Sequence, residues 1–108
     1  MKLLSRLEEI ILLSIWRLDG NAYGITIHEE LVRVTGKKWP LGAIYAPLER
    51  LRKNKYVRTA ASEPVAERGG RHKILYRLTP SGKSALSEIR RVSASAWAGL
   101  PAGKLEES

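Results

Sequence analysis

The apolar residues of this chain change their spacing part-way along the sequence, and this change constrains the possible folds more than any other feature. Up to about residue 53 they recur at the three- and four-residue intervals of amphipathic helices. Residues 56–61 and 72–78 have the pattern of strands instead. A glycine-containing loop separates these two segments, so they are predicted to pair as a β-hairpin.

The helical spacing divides into three predicted helices. The first covers residues 6–18, and Ser5 and Glu8 at its start match a capping box. The second covers residues 23–35 and stops at Gly36, which suits a left-handed helix cap. The third follows a Lys-Lys-Trp-Pro turn and ends near an Asn-Lys pair.

Two features of the third helix conflict with regular helical geometry. Pro47 lacks an amide donor and disfavours helix at Ala46, so either the first turn is irregular or the helix bends there. At the other end, Asn54 or Lys55 is expected to adopt a left-handed conformation. Asn54 is the better suited of the two, because asparagine tolerates that conformation more readily.

A fourth helix is predicted over residues 80–98, since Thr79 is a good N-cap and Pro80 a favourable first residue. The fold is therefore expected to be mainly α with a small β-hairpin, a winged helix-turn-helix (α-α-α-β-β) plus a C-terminal dimerisation helix. The expected divisions are residues 1–79 for the DNA-binding domain, the fourth helix, and residues 99–108 for a flexible tail. In a winged helix-turn-helix, the third helix enters the major groove of DNA.

The positive charge of the chain is concentrated on the third helix and the hairpin. The formal net charge is +8. Between Lys37 and Arg58 the only acid is Glu49, whereas the first two predicted helices are rich in acids. Such a basic surface indicates a nucleic-acid partner, and its placement favours double-stranded DNA.

Other classes of function are disfavoured. The absence of cysteine excludes disulfides and thiolate metal sites. His28 and His72 lie on different predicted elements, and no acidic cluster has catalytic or metal-ligand spacing, so neither an enzyme nor a metal or cofactor is expected. No segment has the uncharged apolar length of a membrane span, and a cytoplasmic protein without a membrane partner is expected.

A series of short motifs occurs in order along residues 5–90: Asn21-Ala22-Tyr23-Gly24, Gly42-Ala43-Ile44-Tyr45, Leu48-Glu49-Arg50-Leu51, Tyr56-Val57, Glu67-Arg68-Gly69-Gly70-Arg71 and Tyr76-Arg77-Leu78-Thr79-Pro80-Ser81-Gly82. Together they resemble the PadR family of transcriptional regulators. The resemblance implies a winged-helix repressor that pairs through its C-terminal helix as a homodimer. It also implies a pseudo-palindromic operator and, in several members, release from DNA by a small aromatic effector.

The resemblance also implies which residues contact DNA: Tyr45 and Arg50 on the third helix, and Arg68, Gly69, Gly70, Arg71 and Lys73 on the wing. The sequence departs from the family at Pro40 and Ala43, where Ser or Thr is common, and at Ala46, which separates Tyr45 from Pro47. Lys55 stands where glycine is common. These departures bear on the geometry of the recognition helix.

Helical geometry gives a wider set of DNA contacts, because Ile44, Leu48 and Leu51 point inward and the opposite face is free to meet the groove. The predicted contacts on this turn and helix are Lys38, Gly42, Ala43, Tyr45, Ala46, Arg50 and Lys53. Alternatives remain for Arg50, for Tyr45 and for the wing. Arg50 either contacts a guanine or a phosphate, or forms a salt bridge with Glu49 or a second-helix carboxylate. Tyr45 either enters the groove, or packs on the core edge and offers only its hydroxyl. The wing either binds DNA or is an ordinary exposed hairpin.

The fourth helix has too thin an apolar stripe to be stable alone in water, so it is expected to pack against a second copy of the chain. The predicted dimer-interface residues are Leu7, Ile11, Trp16, Leu86, Ile89, Ser93 and Trp97. Trp16 and Trp97 are also candidates for effector binding, although dimer packing alone accounts for Trp97. The alternative function is a winged-helix protein-interaction module without specific DNA binding.

Overall fold

The computed structural model describes residues 3–61 and 73–101. They form four α-helices, one 3₁₀ helix and an antiparallel hairpin, in the order α1 (Arg6–Arg17), α2 (Gly24–Thr35), the 3₁₀ helix (Leu41–Ile44), α3 (Tyr45–Lys53), β1 (Val57–Ala61), β2 (Ile74–Leu78) and α4 (Pro80–Trp97). The predicted mainly helical fold with a small hairpin is confirmed. No helix among the described residues is both long enough and apolar enough to cross a membrane.

The predicted caps of the first two helices are present. The Ser5 hydroxyl accepts a hydrogen bond from the Glu8 amide at 3.1 Å, and the Ser5 amide donates to the Glu8 carboxylate at 2.8 Å. This reciprocal pair satisfies two of the amides that every helix start leaves without an internal partner. Gly36 has φ 69°, the left-handed conformation predicted for the end of α2.

The predicted third helix begins irregularly, as its proline suggested. A 3₁₀ turn precedes α3, and Pro47 lies in the first turn of α3, where a missing amide removes no internal hydrogen bond. At the other end, the preference for Asn54 was wrong. Lys55 has φ 64°, whereas Asn54 has φ −82°.

The hydrogen bonds after α3 explain why Lys55 is the left-handed residue. The Tyr56 amide donates to the Leu51 carbonyl and the Lys55 amide to the Arg52 carbonyl, both at 3.0 Å. These two bonds are those of a Schellman motif, in which the residue after the C-cap is left-handed. The length of the helix, rather than the preference of asparagine, therefore decides which residue is left-handed.

The hairpin is attached to the helices by backbone hydrogen bonds and by its inner face. In the antiparallel register, Val57 lies opposite Leu78 and Thr59 opposite Tyr76. The Tyr76 amide also donates to the Ala22 carbonyl, at 2.8 Å. Tyr76 and Leu78 pack against the helical core, so the position of the hairpin is fixed relative to α2 and α3.

One core combines all the helices with the start of the hairpin. Its buried apolar residues are Ile11, Leu12, Ile15, Ala22, Ile27, Leu31, Ile44, Leu48, Leu51, Val57 and Leu86. The prediction of Ile11 as a dimer-interface residue is corrected here, because its side chain has no exposed surface to offer a partner.

The fourth helix joins the rest of the molecule at its first turns. The Thr79 hydroxyl accepts from the Gly82 amide at 3.0 Å and donates to the Lys55 carbonyl at 2.6 Å. The buried residues of α4 are Gly82 and Leu86, both in its first half. Its second half therefore contributes no buried residue to the core of this chain.

Candidate nucleic-acid interface

The exposed ridge of the third-helix region lies opposite its core-facing stripe. Ile44, Pro47, Leu48 and Leu51 are buried, and the exposed positions include Gly42, Ala46, Glu49 and Lys53. Ala43 is half-buried. The ridge therefore presents two small residues and a lysine to solvent, which allows close approach of the helix backbone to a groove.

Arg50 lies on one flank of this ridge, where it is paired with α1. Its Nε donates to Oε2 of Glu8 at 3.2 Å. Burial alone would raise the pKa of Glu8, but the hydrogen bonds from Ser5 and Arg50 outweigh burial and hold the pKa below its ordinary value. Of the two sequence alternatives for Arg50, the structure contains an ion pair, although with a first-helix carboxylate that the sequence did not suggest.

Arg52 occupies the other flank and was missed by the sequence reasoning. Its guanidinium binds the Glu49 carboxylate in two places, with Nη2 to Oε1 at 2.6 Å and Nε to Oε2 at 3.0 Å. This hydrogen bonding lowers the pKa of Glu49 and raises that of Arg52. The charge of Glu49, the single acid of α3, is therefore balanced by Arg52. The remaining charge on the ridge is the positive charge of Lys53. The spacing of Glu49 and Arg52, three residues apart on one helix, is a signal for this pair.

A cleft of about 290 Å³ lies beside the ridge, where the start of α2, the start of α3 and the loop-side end of the hairpin meet. It is lined by Tyr23, Gly24, Ile25, Tyr45, Lys73, Ile74 and Tyr76. The Tyr45 hydroxyl lies directly over Gly24, so that a Cβ atom there would stand only 2.5 Å from it. Tyr45 therefore packs its hydroxyl against the start of α2 while about half of the side chain remains exposed.

Two further lysines predicted to contact DNA come from separate elements, and Lys73 lines this cleft. Lys38 is exposed in the turn before the 3₁₀ helix. Lys73, just before β2 at the loop-side end of the hairpin, places its ammonium 5.2 Å from the centre of the Tyr23 ring, within the range of a cation–π interaction. The remaining predicted wing contacts lie outside the described residues; they are Arg68, Gly69, Gly70 and Arg71.

A second surface lies between α1 and α4. It is a groove of about 630 Å³, lined by apolar side chains that include Leu13, Trp16, Leu86 and Trp97 and by charged ones, Glu9, Lys83 and Arg90. Trp16 and Trp97 are 47% and 45% exposed, an unusual degree for residues of this size. Among the other predicted interface residues, Leu7, Ile89 and Ser93 are half-buried, and Ser93 also lines the groove.

The arrangement of helices, hairpin and basic ridge matches a known family. The model of the Transcriptional regulator PadR-like family matches residues 11–88. This chain belongs to the PadR-like family. Its members are transcriptional regulators, so the protein is assigned as a DNA-binding regulator.

Solved structures share the PadR-like fold over most of this chain. A PadR-like transcriptional regulator from Bacillus cereus has a TM-score of 0.67 at 23% identity, covering 94% of this chain and 88% of its own. The complex structure of hsRosR-S1, from H. salinarum, has a TM-score of 0.68 at 23% identity, with 96% and 84% covered. Bordetella bronchiseptica BpsR, solved for the regulation of its DNA binding by 6-hydroxynicotinic acid, has a TM-score of 0.56 at 24% identity, with 95% and 73% covered. A comparison with curated proteins finds no match.

Proposed function

We propose that this PadR-like protein is a sequence-specific, DNA-binding repressor that acts as a homodimer and leaves its operator when a small aromatic effector binds. The observation that carries the proposal is the meeting of Tyr45 at the start of α3, the start of α2 and the loop-side end of the hairpin at one cleft beside the α3 ridge. In a winged helix-turn-helix these three elements follow the contour of a DNA groove and its phosphates.

Within this proposal the residues divide between positioning and reading. Lys38, Lys53 and Lys73 contact phosphates, which fixes the protein on the duplex and carries little sequence information. The small residues Gly42, Ala43 and Ala46 let the helix backbone come close to the base edges, and Tyr45 lies at the flank. Arg50 contributes to base recognition through its Nη groups, since Nε binds Glu8 while the side chain stays 55% exposed. The proposed wing contacts are Arg68, Gly69, Gly70 and Arg71.

The homodimer is proposed from the exposed apolar groove and the second half of α4. The proposed interface consists of Leu7, Trp16, Leu86, Ile89, Ser93 and Trp97, and a second copy would close the groove in which the two tryptophan rings lie. Residues 1–79 then serve as the DNA-binding unit and α4 as the dimerisation helix. Size-exclusion chromatography with light scattering tests this arrangement, because a monomer at micromolar concentration contradicts it.

An effector site is proposed where Trp16 and Trp97 face the groove. BpsR shows that a protein of this fold is regulated by a small aromatic ring compound, 6-hydroxynicotinic acid. The Trp97 ring offers a stacking surface for such a molecule, whereas the Trp16 ring already carries the Lys83 ammonium, 5.4 Å from its centre. Quenching of tryptophan emission by planar aromatic compounds should therefore be lost in Trp97→Ala. Equal quenching in the variant would place the effector elsewhere.

The DNA-binding part of the proposal is tested by selecting duplexes from a random pool, followed by a salt titration. A sequence-specific dimer should enrich a pseudo-palindrome, and its affinity for random duplex should fall steeply as salt rises. The alternative, a protein-interaction module, predicts neither enrichment nor a steep salt dependence.

A further inference from the structure

The turn that leads into the recognition helix lacks the usual side-chain cap. Pro40 stands at the N-cap of the 3₁₀ helix, and no side chain there accepts a hydrogen bond from the helix amides. The Ala43 amide does reach the Pro40 carbonyl, at 2.9 Å, but this bond closes only the 3₁₀ turn. The buried Ile44, Leu48 and Leu51 hold α3 on the core, so the turn that enters the helix is the part that needs a further contact.

Two side chains of α2 hold Trp39, the residue immediately before Pro40. Nε2 of His28 lies 2.5 Å from the Trp39 carbonyl oxygen. Because a carbonyl oxygen only accepts, Nε2 must carry the hydrogen in this contact. The Trp39 ring donates from Nε1 to the Thr35 hydroxyl at 2.9 Å, so both the backbone and the ring of Trp39 are fixed to one helix.

The Thr35 hydroxyl is itself held in place. It donates to the Leu31 carbonyl at 2.8 Å and accepts from the Lys37 amide at 3.2 Å, in addition to the Trp39 ring. Its one hydrogen and both lone pairs are therefore used. The Trp39 ring also packs against the core, which leaves the turn little freedom to rotate.

We infer that His28 and Thr35 are positioning residues for DNA recognition: through Trp39 they set the orientation of the recognition helix in place of the absent cap. The inference rests on the proposed DNA binding. If the contact is lost, the helix samples several orientations, only some of which match the operator. Apparent affinity for a specific site falls in proportion to the matching fraction, whereas phosphate-driven binding to random DNA is unaffected.

The experiment uses His28→Leu, His28→Gln and Thr35→Val. The matched control is Val34→Ala, an exposed and uncharged position on the same helix. Binding is measured on a duplex selected by the wild type and on a random duplex, over a range of salt. His28→Leu should weaken binding of the selected duplex about fivefold, the effect of one neutral hydrogen bond, with no change on random duplex or in the salt slope. Thr35→Val should behave in the same way, and Val34→Ala should match the wild type.

His28→Gln supplies the rescue, because its amide nitrogen can take the place of Nε2, and binding should return to within twofold of the wild type. Two-bond ¹H–¹⁵N correlations of His28 should independently show a hydrogen on Nε2. Unchanged selected-duplex binding in His28→Leu, equal losses on both duplexes, no rescue by glutamine, or a bare Nε2 would each overturn the inference alone. A wild type without selective binding would overturn the proposed function and the inference together.

Discussion

Lys55→Gly should make the protein more stable. Among the described residues, Lys55 is the only non-glycine with positive φ, and it cannot relax easily. The Schellman hydrogen bonds fix it from the α3 side, and the Thr79 hydroxyl holds its carbonyl at 2.6 Å from the α4 side. A side chain in the left-handed region brings Cβ close to the following carbonyl, which costs about 1–2 kcal/mol.

Glycine removes this strain but also adds freedom to the unfolded chain, which offsets part of the gain by about 0.5–1 kcal/mol. The expected net increase in the free energy of unfolding is about 1 kcal/mol. In a domain of this size that raises Tm by roughly 4–8 °C. The measurement is thermal and urea unfolding followed by circular dichroism at one fixed protein concentration.

Lys55→Ala is the matched control, because it removes the charge and the long side chain but keeps Cβ. It should remain within about 0.5 kcal/mol of the wild type. Glu29→Gly, at an exposed position in the interior of α2, should instead lose about 1 kcal/mol, as glycine does in a helix interior. A Lys55→Gly protein no more stable than Lys55→Ala would refute the argument from backbone strain.

Three further predictions follow from other contacts. Gly82→Ala should destabilise the protein by about 1–3 kcal/mol in urea unfolding. The reason is that the new Cβ would overlap the Tyr56 carbonyl oxygen and stand 2.7 Å from Leu78. An unfolding free energy equal to that of the wild type would contradict this packing. The pKa of Glu8 is lowered in the folded state. Its contribution to the free energy of unfolding is therefore present above the ordinary pKa of 4.5 and is lost as the pH falls below that value. Acid unfolding of Glu8→Gln should accordingly depend less steeply on pH than that of the wild type, and parallel curves would contradict the assignment. Lys53→Gln should weaken binding to all duplexes and reduce the salt slope by about 0.9; a loss confined to one sequence would show that Lys53 reads bases.

Features fixed by neighbouring residues were predictable from the sequence. The capping box at Ser5 and the Thr79–Pro80 start of α4 each depend on residues within one turn, and both are present. The hairpin followed from strand patterns on either side of a loop. The irregular start of α3 followed from the known restriction that Pro47 places on the preceding residue.

Features that depend on distant residues were not predictable. The partner of Arg50 is Glu8, 42 residues earlier in the chain, and a helical wheel gives no indication of which helix packs on which flank. Ile11 was misassigned because α1 is apolar on most faces, so that periodicity cannot separate the side facing the core from a side facing a partner. The left-handed residue was misassigned because residue preference was considered without the exact end of the helix.

The bond from Thr79 to Lys55 has a consequence for operator architecture. It anchors the N-cap of α4 to Lys55, just after the end of α3, so the two helices are joined by a stiff connection rather than a flexible linker. In the proposed homodimer, the distance between the two α3 helices would then be set by the length and crossing of the paired α4 helices. Changes in α4 would alter the tolerated gap between operator half-sites, normally a multiple of about 34–36 Å, while the bases preferred within each half-site stay the same.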